Sequence, residues 1–73
     1  MKYYEDLKVG MIFVPKSAED SWYPEIRILS LNGQFDIVVK TIRTNVIMSF
    51  FFTDIQTRYK EVSEKEYKLW RIK

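Results

Sequence analysis

The chain has 73 residues, twelve Lys or Arg against ten Asp or Glu, and neither Cys nor His. Disulfides, thiolate metal sites, cysteine nucleophiles and imidazole chemistry are therefore excluded. A net charge of +2 is too weak to imply nucleic acid by itself, and five Tyr, five Phe and two Trp can fill a small core, so a single globular domain over 1–73 is expected.

The opening MKYYEDLKVG carries acidic side chains and no apolar core, so it does not read as a signal peptide. One helical turn fits residues 3–7. The longest apolar runs, 11–14 and 50–52, fall far short of the roughly 20 residues of a membrane span. A soluble cytoplasmic protein with no membrane partner is expected. Gly10 precedes a first strand over 11–14, which Pro15 ends or confines to an edge. A polar loop follows over 16–21. Its Glu19-Asp20 pair does not make a calcium loop. No metal and no cofactor is expected.

A second strand begins near Trp22 or Tyr23, with Pro24 tolerable at its start. Asn32-Gly33 is the strongest hairpin signal in the chain, because both central residues of a type I′ turn need positive φ. That turn sets a register: Leu31 opposite Gln34, Ser30 opposite Phe35, Ile28 opposite Ile37, Ile26 opposite Val39, Glu25 opposite Lys40. One face then gathers Ile26, Ile28, Phe35, Ile37 and Val39. The other gathers Glu25, Arg27, Asp36 and Lys40 with a few apolar residues. The third strand runs to about Ile42, and polar residues 43–45 turn the chain.

A fourth strand over 46–53 directs Val46, Met48, Phe50 and Phe52 inward and Ser49, Phe51 and Thr53 outward. Its uncharged run is an aggregation hazard, flanked by Arg43 and Asp54, that pairing inside a closed barrel would protect. Thr53-Asp54-Ile55-Gln56 has capping-box form and predicts a short helix or 3₁₀ turn over 54–59, with Ile55 and Tyr59 inside. Ser63-Glu64-Lys65-Glu66 has the same form, which leaves a helical end as an alternative. Alternation over 68–73, with Trp70 and Ile72 on one face, favours a turn at Ser63 and a closing strand over 67–72.

The expected fold is mainly β: a small five-stranded antiparallel, closed or partly open barrel with a helical turn before the last strand. The lead-in Leu7-Lys8-Val9-Gly10-Met11-Ile12-Phe13, the polar loop after strand one, the central meander and the turn before the final strand resemble the layout of Src-homology-3-like small barrels. The resemblance spans most of the chain as layout and transfers no functional residue.

Catalysis is not expected. No nucleophile sits in an elbow, Gly10 and Gly33 both have turn explanations, and a side-chain-filled barrel has little room for a pocket. The leading expectation is a non-catalytic interaction protein that binds another protein, as an adaptor or stoichiometric inhibitor of the sort phages and mobile elements encode. Its anchor would be Trp22 and Tyr23, although Trp22 is equally suited to capping a barrel end. The alternative is RNA or single-stranded DNA binding through Arg27, Lys40, Arg43, Tyr23 and Phe51, where bases stack and phosphates pair. Carboxylates among those bases weigh against phosphate. A third option is a self-associating subunit that uses an open strand edge.

Overall fold

A computed structural model describes residues 3–17 and 23–72, with side chains described as far as Leu69. Trp22, most of the polar loop and the side chains of Trp70 and Ile72 lie outside the described residues. The strands are β1 (Ile12–Pro15), β2 (Ile26–Leu31), β3 (Ile37–Thr41), β4 (Ile47–Phe50) and β5 (Tyr59–Val62). A 3₁₀ turn (Tyr4–Asp6) leads in, α1 (Phe52–Arg58) joins β4 to β5, and α2 (Glu64–Ile72) ends the described chain. The fold is mainly β, as expected: one antiparallel five-stranded sheet in the order β4-β3-β2-β1-β5, not closed by hydrogen bonds.

Pro15 ends β1, which lies inside the sheet rather than at an edge. Extending the β1–β2 register of Ile12 with Arg27 and Phe13 with Ile26 would set Pro15 opposite Pro24. Neither proline has an N–H to give, so the ladder stops there. On its other side β1 stays paired with β5 as far as Pro15 opposite Tyr59, and beyond it the Lys16 N–H bonds the Arg58 carbonyl (2.9 Å).

The hairpin departs from the expected register. Leu31 faces Ile37 and Ser30 faces Val38; after a bulge at Leu29, Ile28 faces Val39, Arg27 faces Lys40 and Ile26 faces Thr41. The connection is residues 32–36 instead of a two-residue turn. Asn32 stays out of the left-handed region, which among the described residues holds Gly10, Gly33 and Asn45. The wider loop makes bonds that a two-residue turn forgoes. The Tyr4 hydroxyl accepts the Gly33 N–H (2.9 Å), and the Gln34 carbonyl accepts the Phe52 N–H (2.7 Å). Below the bulge the slip is two residues, so inward side chains stay inward. Ile26, Ile28, Ile37 and Val39 are fully buried as expected, whereas Phe35, expected inside, is 72% exposed on the loop.

The inner face of the sheet packs Phe13, Ile26, Ile28, Ile37, Val39 and Tyr59 with Leu7 from the lead-in and Phe52 and Ile55 from α1. Phe50 and Tyr59 meet edge to face at 6.0 Å, so the two ends of the sheet curl towards each other across this core. On the outer face Ile12, Val14 and Val62 pack with Tyr67 of α2.

Three boundaries differ from the expectations. The closing strand is β5, and the expected strand over 67–72 is helix. Ser63 and Glu66 cap each other reciprocally, Glu66 N–H to Ser63 Oγ (3.1 Å) and Ser63 N–H to Glu66 Oε1 (2.9 Å), and this start outweighs the alternation that follows. The first helix begins at Phe52 with Phe51 as its cap and no side-chain cap bond, so Thr53 is not the capping residue. The fourth strand is short, and α1 takes Phe52 and Thr53 from it.

Candidate interaction surface

The outer face is only partly covered. α2 lies over the β1–β5 side, where Arg27 reaches it and pairs with Glu64 (2.9 Å). The remainder belongs to β2, β3 and β4. Across β2 and β3, Arg27 and Lys40 stand directly opposite, as do Ser30 and Val38. Next to them on β4, Ile47 faces Lys40 and Ser49 faces Val38. The bulge turns Leu29 outward. A shallow groove of about 200 Å³ runs along this face, lined by Arg27, Leu29, Lys40, Thr41, Ile42 and Asn45.

At the hairpin end stands an exposed aromatic pair. Phe35 and Phe51 meet edge to face with ring centroids 5.3 Å apart, and both remain more than half exposed. Phe51 is held by the extended backbone that caps α1, and Phe35 by the loop whose Asn32 and Asp36 close on each other. Along β4, Ile47 extends the outer apolar surface at 66% exposure, while Val46 and Met48, at 51% and 38%, stand on the opposite face of the strand. Apolar side chains that cluster in the open, rather than scatter singly, are the material from which interaction surfaces are built.

The residues expected to bind nucleic acid are not one cluster. Arg27 and Lys40 do adjoin, but Arg27 donates to Glu64. Arg43 lies 2.7 Å from Oε1 of Glu25, a carboxylate that is buried rather than paired with Lys40 as the shorter hairpin required. That oxygen makes no aligned hydrogen bond, so the contact is one of charge. Tyr23 turns to the other side of the sheet, with its ring edge on Tyr59 and the Arg58 guanidinium 5.0 Å above it. Phe51 alone of the set presents an open ring. The sequence reading missed Phe35, Leu29 and Ile47. The uncharged alternation of Ile47, Ser49 and Phe51 was the available signal for an open outer face.

A second concavity, about 330 Å³, lies between β1, β5 and α1 and is lined by Lys16, Gln56, Tyr59, Lys60 and Glu61 among others. Two of its polar groups are committed to the fold. The Lys16 ammonium donates to the Gln56 carbonyl (2.6 Å), and the Tyr59 hydroxyl donates to the Pro24 carbonyl (2.8 Å). Burial, and then the charges of Tyr23 and Glu25, push the Tyr59 hydroxyl well above the usual tyrosine range, so it stays protonated. Among the described residues no three acidic side chains gather as a metal site, and no helix is long and apolar enough to cross a membrane. No protein family, curated protein or solved structure matches the chain.

Proposed function

We propose that this chain is a non-catalytic interaction protein that captures another protein on the apolar surface formed by Phe35, Phe51, Leu29 and Ile47. The observation that carries it is the Phe35–Phe51 pair, two large rings held against each other in the open by backbone that is fixed elsewhere. Rigid exposed aromatics make effective anchors because little side-chain entropy is lost on docking. This reading puts the anchor at the hairpin tip rather than at Tyr23, which is half-buried against Tyr59, while Trp22 lies outside the described residues.

In the two concavities Lys16, Thr41 and Tyr59 are each bonded within the fold, which supports a stoichiometric rather than catalytic role, as adaptor or inhibitor. The lack of Cys suits a cytoplasmic setting. The polar loop after β1, the meander β2–β3–β4 and the helix before β5 support the Src-homology-3-like resemblance as part of this proposal. RNA or single-stranded DNA is the weaker candidate, because Arg27 and Arg43 each already have a carboxylate within 2.9 Å.

Pull-down from nuclease-treated lysate tests the surface. The wild-type chain should retain a discrete protein, lost in Phe35→Ser/Phe51→Ser and kept in Trp22→Ala. Retention by the double Phe variant, or capture that disappears on nuclease treatment, would refute it.

A further inference from the structure

Strand β4 is an edge without the usual guards. It has no charge, proline or bulge along residues 46–50, and its two outward side chains, Ile47 and Ser49, are uncharged. The Thr41 N–H bonds the Val46 carbonyl (2.9 Å). With the antiparallel register of β3 and β4, this directs the backbone groups of Val46, Met48 and Phe50 to β3. Ile47 and Ser49 therefore point their N–H and C=O groups outward. Their neighbours are committed: the Asn45 N–H bonds the Thr41 carbonyl, and the Phe51 carbonyl accepts the Asp54 and Ile55 N–H groups of α1.

This edge is complementary to itself. We propose that two copies of the chain pair through β4, antiparallel about a two-fold axis at Met48, into one continuous sheet. Ile47 of each copy faces Ser49 of the other, and both donate and accept, so all outward groups of the two residues are satisfied. Shifting the pairing by two residues either way would call on the committed Asn45 N–H or the committed Phe51 carbonyl. Met48 then meets Met48 as a close non-hydrogen-bonded pair, and Val46 meets Phe50 on the same inner face.

Charge agrees with this arrangement. Residues 44–53 carry none, so two chains of like net charge approach without local repulsion. On the outer face Lys40 flanks Ile47, and Asp36 accepts a bond from the Ser49 hydroxyl (3.2 Å). Antiparallel pairing brings the lysine flank of one copy towards the aspartate flank of the other, at both ends. The two proposals share Ile47, but the pairing turns on the β4 backbone and Met48 and capture turns on the Phe35 and Phe51 rings, so Met48→Lys tests the first and Phe35→Ser/Phe51→Ser the second.

Sedimentation of the full chain up to high micromolar concentration tests the dimer. The wild type should approach twice the 8.9 kDa of one chain. Met48→Lys and Met48→Glu, each checked for folding by circular dichroism, should weaken association about tenfold or more when alone, and an equimolar mixture should recover it. Met48→Cys supplies the one thiol in a chain without cysteine and should cross-link to a covalent dimer on mild oxidation; Lys60→Cys, exposed on β5, should not. A wild type that stays monomeric throughout, a dimer indifferent to Met48→Lys, or Met48→Cys that cross-links no faster than Lys60→Cys would each overturn the proposal.

Discussion

Tyr59 shows how one residue can link two elements. Its ring lies in the inner core and its hydroxyl holds the Pro24 carbonyl at the entry to β2. Tyr59→Phe should cost about 1 kcal/mol in urea denaturation. The pH dependence follows from the raised pKa. The unfolded tyrosine loses its proton first, so this contribution is complete below about pH 10 and declines as pH rises above that. The wild type should therefore lose stability in alkali more steeply than Tyr59→Phe. The two ion pairs should behave differently. Arg27 and Glu64 are both substantially solvated, and Arg27→Met should cost about 1 kcal/mol or less. Arg43 faces a buried carboxylate, and Arg43→Met should cost about 1–3 kcal/mol because Glu25 loses its counter-charge. Equal losses in the two variants would mean that the burial of Glu25 has no energetic consequence.

At the scale of elements, local capping decided the end of the chain. Ser63→Ala removes the cap of α2 and should cost about 1 kcal/mol, read by thermal or urea unfolding. The Ser63 N–H, and then its hydroxyl, hold the Glu66 carboxyl below its usual range. That contribution is present above the ordinary carboxylate pKa and is lost as pH falls through the depressed folded value. The stability gap between wild type and Glu66→Gln should thus close in acid. The hairpin shows the converse case. Asn32-Gly33 is a sound turn signal, and Gly33 does take positive φ. Yet the loop widened because Tyr4 and Phe52, distant in sequence, supply bonds to Gly33 and Gln34. The inward set Ile26, Ile28, Ile37 and Val39 was legible from alternation because the slip was even. Phe35 was not, because it lies in the widened loop.

At the scale of the whole molecule, a chain of this size has a stability of roughly 4–11 kcal/mol. Phe13→Ala removes the largest fully buried side chain among the described residues and should cost about 3–5 kcal/mol, leaving a population of unfolded chains visible by circular dichroism. A core this small cannot cover both faces of a five-stranded sheet. Here α1 and the lead-in close the inner face, α2 closes one side of the outer face, and β4 is left without cover. The uncovered region is where both proposed contacts fall: the Phe35–Phe51 pair for another protein, and the β4 backbone for a second copy.

By itself the sequence determined the class of fold, the meander and which residues of β2 and β3 turn inward. These follow from side-chain alternation and from glycine, proline and capping chemistry, all of which act within a few residues. Only the tertiary structure decided the hairpin register, the place of β4 at an edge and the neutralisation of Arg27 and Arg43. Each depends on a partner far along the chain: Tyr4 for the hairpin loop, Glu64 for Arg27, Glu25 for Arg43. Local pattern can say that a strand has an apolar face, but whether anything covers it depends on where the rest of the chain comes to lie.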